Sequence, residues 1–199
     1  MTAVPPQGTH LTTEQLLAGL DAIRRSPPDD GTVELIVRRP AADGREVLDE
    51  GLVEPGAGLV GDTWRARASG RRAGRATSPD TQITIINARA IALVAQARSR
   101  WALAGDQLYI DLDLSGANLP PGTRLALGSA VLEVTSQPHT GCGKFVERFG
   151  VDAMKFVNSS IGRELNLRGI YARVVQAGRI RVGDRVARGV PSREPARSR

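Results

Sequence analysis

Two hydrophobic periods alternate along this chain. Leu16, Leu17, Leu20 and Ile23 recur at helical spacing, which predicts an amphipathic helix over 12–25, capped by Thr12 or Thr13. Ser26-Pro27-Pro28 stops it, because proline lacks a backbone donor and disfavours helix before it. After the turn at 29–31, VELIVRR (33–39) is β-branched and reads as a strand. REVLDEGLVEPG (45–56) is a second, less regular extended stretch, followed by a glycine-punctuated loop ending at Asp62-Thr63-Trp64. QITIIN (82–87) reads as a strand and ARAIALVAQARSR (88–100) as a helix. Ile91, Val94 and Ala95 form its inward stripe, and Asn87 can cap it. YIDLDLS (109–115) alternates, with Ile110, Leu112 and Leu114 on one face and Asp111 and Asp113 on the other. Short strands are expected within 119–129 and over 130–136. Two short helices broken near Gly150 occupy 144–159, and two strands turning at Ala177-Gly178 occupy 168–186. This order predicts a mostly β fold with a few helices (α+β), its sheet antiparallel and barrel-like.

Length is consistent with one domain and its appendages: 199 residues, of which 31–186 would form the barrel. Residues 1–30 read as an N-terminal extension with one helix, and 187–199 as a basic, disordered tail. No apolar run approaches the roughly 18 residues of a membrane span, and MTAVPPQGTH has no secretory pattern. With a lone thiol, that points to the cytoplasm. Net charge is +6, and arginine supplies 25 of the 27 basic residues. Segment 65–75 carries five arginines and no acid, and 187–199 carries four against Glu194. The body between them is nearly neutral. Aromatics are only 4%, so a nucleic-acid platform of stacked bases is not expected. Segment 65–79 reads as a solvated, mobile loop.

The chemistry concentrates in SQPHTGCGKF (136–145), between a strand and a helix. Cys142 is the only cysteine, so an internal disulfide and a multi-thiolate zinc site are both ruled out. It is expected just before a helix N-terminus, where the helix dipole favours a thiolate, with Lys144 and Arg148 adding positive charge. Such a thiol can be a nucleophile, a sulfur carrier or a soft-metal ligand. His139, three residues back, is a candidate base for it.

The runs RLALGSAVLEVTSQPHTGCGKF (124–145), ERFGVDAMKF (147–156) and GRELNLRGIYARVVQAGRIRVGD (162–184), with GLVGD (58–62) and GANL (116–119) upstream, resemble the MOSC domain family. That family is named for the C-terminal domain of molybdenum-cofactor sulfurase. The resemblance implies a β-rich barrel. It implies that Cys142 matches the cysteine that ligates molybdenum in some relatives and is proposed to carry sulfur in others. It implies the molybdenum cofactor (molybdopterin), or pyridoxal phosphate, as ligand. Asn118, Thr140, Lys144 and Arg168 are then the candidate cofactor-binding residues, and Cys142 the metal ligand. The activity implied is reduction of an N-hydroxylated compound or sulfur transfer, with a sulfurtransferase or an electron donor as partner protein. Two departures from the family pattern stand out. Gly141 precedes the cysteine where many members have proline, and 74–85 lacks the His-Gly-Gly segment that many members carry.

The residues alone leave two other readings open. One is a metal-free enzyme working through a Cys142–His139 pair on a small-molecule substrate. The other is an anion- or nucleotide-binding module using the arginine loop. Asn118 also fits a plain turn asparagine, Thr140 a turn-closing hydroxyl and Arg168 a solvated arginine. Trp64 and Trp101 fit packing positions.

Overall fold

The computed structural model describes residues 10–69 and 78–189. In chain order the helices are α1 (Thr13–Ala18), α2 (Leu20–Arg24), α3 (Trp64–Ser69), α4 (Ala88–Ala95), α5 (Gly143–Phe149), α6 (Val151–Asn158) and α7 (Ser160–Glu164). The strands are β1 (Gly31–Arg38), β2 (Glu46–Leu48), β3 (Glu50–Glu54), β4 (Gly58–Leu59), β5 (Ile83–Asn87) and β6 (Leu108–Asp111). They continue with β7 (Arg124–Leu127), β8 (Ala130–Val134), β9 (Ile170–Gln176), β10 (Gly178–Arg181) and β11 (Arg185–Arg188).

Seven strands close a barrel in the order β1-β6-β5-β9-β8-β7-β11, with β11 pairing back onto β1 through Gly31↔Val186. Closure removes the free edges that an open sheet would leave. A three-stranded sheet, β10-β3-β4, adjoins it. The expected antiparallel barrel needs one correction: β5 and β6 run parallel, Ile85 facing Leu108 and Asn87 facing Ile110. The cause lies between them. Helix α4 and a 3-10 stretch over 98–104 carry the chain back to the starting end, which makes a crossover rather than a hairpin.

Two apolar clusters sit on opposite sides of the barrel wall. Inside are Val33, Ile36, Ile85, Leu108, Ile110, Leu112, Leu132, Ala172 and Val186. Outside, Leu35, Val37, Ile86 and Tyr109 pack against Leu16, Ile91, Phe145, Phe149 and Phe156 of the helices. Leu108, Tyr109 and Ile110 alternate inside, outside, inside, as pleating requires. The expected stripe of Ile91, Val94 and Ala95 is buried, and Asn87 caps α4 by accepting from Ala90 N at 2.8 Å. Trp64 and Trp101 are both buried.

Three sequence expectations change. The single helix over 12–25 is α1 and α2, divided at Gly19, whose N–H still bonds to Leu16 O. The helix over 88–100 ends at Ala95, and Trp101 of the 3-10 stretch packs its face on Tyr109. Residues 64–69 of the arginine segment form α3; the rest of that segment, 70–77, lies outside the described residues. So do residues 1–9 and the tail from 190 on.

Candidate functional site

The cysteine loop runs from the end of β8 to α5, and both anchors are fixed by packing. Thr135 N donates to Tyr171 O of β9 at 2.9 Å. On the other side Phe145, in the first turn of α5, is buried in the outer cluster against Phe149, with ring centroids 4.9 Å apart. Cys142 is the N-cap of α5, extended at φ −128°, and exposed. One further tie holds the loop: Gly141 N donates to Asn158 Oδ1 of α6 at 3.0 Å. The approach is close. A Cβ at Gly141 would lie 3.2 Å from Asn158 Nδ2 and from Met154 Sδ. Proline here would have no N–H to donate. The departure from the expected family proline therefore comes with its own hydrogen bond.

Asn158→Ala is expected to lower stability by about 1 kcal/mol, the worth of one neutral hydrogen bond. It should also raise the rate at which Cys142 reacts with a bulky maleimide, because the loop loses its tie to α6. Unchanged alkylation would show that Asn158 does not set the position of Cys142.

Cys142 opens on a cavity of about 290 Å³. Five cations line it: Arg39, Arg45, Lys144, Arg148 and Arg168. Pro138, His139, Thr140, Thr84, Phe145 and Tyr171 complete most of the wall. Arg39 and Arg168 are held by buried carboxylates behind the wall, whereas Lys144 and Arg148 share the exposed Asp43 at the surface. Arg39 donates to both oxygens of Asp62, from Nε at 2.7 Å and Nη2 at 2.8 Å. Arg148 donates to Leu103 O at 2.7 Å and to Asp43 at 3.1 Å, and Lys144 donates to Asp43 at 2.5 Å. The Lys144 ammonium, bonded to Asp43, holds that carboxyl below its ordinary range. Arg168 donates to Asp106 Oδ2 at 2.8 Å and to Ala104 O at 3.1 Å, and its guanidinium lies 5.1 Å from the centre of the Phe145 ring. Five cations against three carboxylates, none of which lines the cavity, leave a site that favours anions.

His139 is nearly sealed, its side chain 9% exposed and its ring 4.5 Å from that of Tyr171. Burial, with Arg168 and Arg39 nearby, pushes its pKa well below the ordinary imidazole value. It is therefore neutral at neutral pH. A cysteine–histidine ion pair needs an imidazolium, so this ring is poorly suited to activate Cys142 as a base.

Of the residues singled out in the sequence, Cys142, His139, Thr140, Lys144 and Arg168 meet at this one cavity. Asn118 does not line it. Its Nδ2 donates to Pro28 O and Asp113 O, and its Oδ1 accepts from Arg188 Nη1 at 2.7 Å. It ties a turn to the barrel's closing strand. Arg168 is buried and paired, not solvated. Sequence reasoning missed Arg39, Arg45, Asp106 and Tyr171. The one legible hint was GLVGD (58–62), whose Asp62 anchors Arg39 across 23 positions.

Among the described residues no three of His, Cys, Asp and Glu cluster at metal-binding distance. Among them, no helix is long and apolar enough to cross a membrane.

The fold is similar to the crystal structure of the YuaD protein from Bacillus subtilis, with a TM-score of 0.59 and 16% identity over 81% of this chain and 97% of that one. It is also similar to YiiM from Escherichia coli, TM-score 0.53 and 18% identity, over 82% of this chain and 72% of that one. YiiM from Geobacillus stearothermophilus gives 0.55 and 15%, over 80% and 75%. At these identities the likeness is one of fold. No curated protein matches the chain. The family model of the MOSC domain matches residues 72–187, more than half of the chain, and spans the strands from β5 to β11 and the cysteine loop. The chain belongs to the MOSC domain family.

Proposed function

We propose that this MOSC protein binds an anionic, phosphate-bearing cofactor of the molybdenum-cofactor type and that Cys142 is its protein ligand or carries its sulfur. One observation carries the reading: an exposed thiol at the mouth of a cavity lined by five cations. The residues present fit such a group. Arg45, Lys144 and Arg148 would hold the phosphate, as guanidinium and ammonium groups do, and a phosphate such as that of pyridoxal phosphate would meet the same cations. Thr140 would add a hydroxyl. A thiolate suits a soft metal, and with no ligand cluster among the described residues to complete the coordination, the other donors would come from the cofactor. When bound, the group would supply two-electron chemistry, such as removal of oxygen from an N-hydroxylated compound.

The chain's own contributions are binding and exclusion. The buried Arg39–Asp62 and Arg168–Asp106 pairs keep positive charge fixed at the cavity wall without rotamer freedom. Phe145 and Tyr171 shield one side from water. A single cysteine cannot hold an iron–sulfur cluster, so electrons for a reduction would come from a separate protein.

The test is elemental and pterin analysis of protein made in a host that synthesises the cofactor, alongside Cys142→Ser. Near-stoichiometric molybdenum in the parent, lost in the variant while the fold persists by circular dichroism, is the expected result. Equal metal content in the two proteins overturns Cys142 as the ligand. If neither holds metal, intact mass should reveal a persulfide on Cys142; an unmodified thiol there overturns the sulfur-carrying reading as well.

A further inference from the structure

Behind the cavity wall lies a carboxylate that the proposed function does not use. Asp106 is fully buried, and its two oxygens differ. Oδ2 accepts from Arg168 Nη1 at 2.8 Å. Oδ1 has no hydrogen-bond partner among the described residues; it faces His139 Nδ1 at 3.7 Å. His139 Nδ1 is sealed and also without a partner, with Gly169 packed beside it. These two unsatisfied buried polar atoms, one able to donate and one to accept, thus face each other, while Arg168 Nε, the third such atom here, belongs to the side chain that already bonds Oδ2 through Nη1.

Which atom carries the proton follows from charge. Burial pushes Asp106 upward, and the adjacent Arg168 guanidinium opposes this. Neutralising Asp106 would strand Arg168, itself 8% exposed, as an unpaired buried cation. The carboxylate therefore stays ionised and the proton belongs on Nδ1. A neutral imidazole protonated at Nδ1 carries its lone pair on Nε2. His139 lines the cavity while Nδ1 is sealed, so Nε2 is on the edge left to the cavity.

We propose that Asp106 is a positioning residue that locks His139 as its Nδ1–H tautomer, so that Nε2 offers the cavity an acceptor and the site selects an anion that also carries an O–H or N–H donor. This rests on the anion-binding reading given above and narrows it. The five cations only donate and the hydroxyls of Thr140 and Tyr171 can turn to donate or accept, whereas an unprotonated His139 Nε2 can only accept and so asks the ligand for a proton. An N-hydroxyl or a protonated phosphate satisfies it. An anion without a proton leaves the lone pair facing an oxygen.

The tautomer is readable directly. The chain has two histidines, His10 and His139, so nitrogen-15 spectra of histidine-labelled protein contain two rings, and His10→Gln assigns them. At neutral pH the expected pattern for His139 is a protonated Nδ1 and an unprotonated Nε2. The opposite tautomer, or a rapidly averaged mixture, overturns the proposal. Asp106→Asn should abolish the preference; should that variant fail to fold, the spectrum of the parent still decides. Selectivity is tested with inorganic phosphate and sulfate, tetrahedral anions of similar size, of which only phosphate carries a proton at neutral pH. Phosphate should bind about tenfold or more tightly, the discrimination expected of one hydrogen bond to an anion, and should shift His139 Nε2. Equal binding overturns the selectivity. Binding of neither anion, with the expected tautomer, would overturn the anion reading and its selectivity while leaving Asp106 as the residue that fixes His139.

Discussion

Asp62→Ala is expected to destabilise the protein by about 3–5 kcal/mol, the cost of removing one member of a buried ion pair. The Asp62 side chain is wholly inaccessible and accepts four hydrogen bonds, from Arg39 N, Nε and Nη2 and from Trp64 N, all between 2.7 and 2.9 Å. Alanine returns none of them. Arg39 would remain 7% exposed, with Nη1 bonded to Gly105 O and its charge uncompensated. For a chain of this length the midpoint of thermal unfolding should fall by roughly 10 °C. The pairing, rather than the side-chain volume, is separable by a second variant. Arg39→Met combined with Asp62→Leu removes both charges and should recover much of the loss. A cost below about 1 kcal/mol for Asp62→Ala would mean that Arg39 reaches water and is not a fixed charge of the cavity wall.

Gly169→Ala is expected to have a comparable effect for a different reason. Gly169 sits at φ +103°, a conformation that L side chains rarely adopt, directly between Arg168 and the start of β9. A Cβ there would lie 2.3 Å from Ile85 O, a backbone atom of the neighbouring strand, and 3.3 Å from His139 Nδ1. Strain should cost roughly 1–3 kcal/mol and overlap a similar amount. The backbone of β5 cannot move aside cheaply, because it is paired on both edges, with β6 and with β9. Urea unfolding measures the loss. The imidazole signals of His139 should shift as well, since the same substitution crowds its Nδ1. A neutral substitution would show that β5 and β9 are further apart here than described.

The element types came mostly from periodicity. Helix α4 with its Asn87 cap and the break at Gly150 between α5 and α6 were readable because cap, glycine and stripe agree locally; the expected strand after Ala177-Gly178 is instead two, β10 and β11, because β10 leaves the barrel to pair with β3. The parallel pairing of β5 and β6 was not readable, since strand direction depends on where α4 and the 3-10 stretch deliver the chain and not on any residue in either strand. Cys142 stood out because glycines, a lysine and a coming helix surround it within ten positions.

The rest of the site is long-range. Asp106 meets His139 across 33 positions, Arg168 meets Asp106 across 62, and Lys144 meets Asp43 across 101. A window of sequence shows Arg39 as one arginine among 25, and only burial against Asp62 distinguishes it. Asn118 shows the converse: its turn was legible, but its side chain is spent on Arg188 and two carbonyls. By itself the sequence determined most of the order of the elements, the single thiol and the family resemblance, because these are set by local spacing and composition. Barrel closure, the cationic wall and the Asp106–His139 pair were decided by the tertiary structure alone, because charge becomes chemically distinctive only once burial strips its water and leaves one partner within reach.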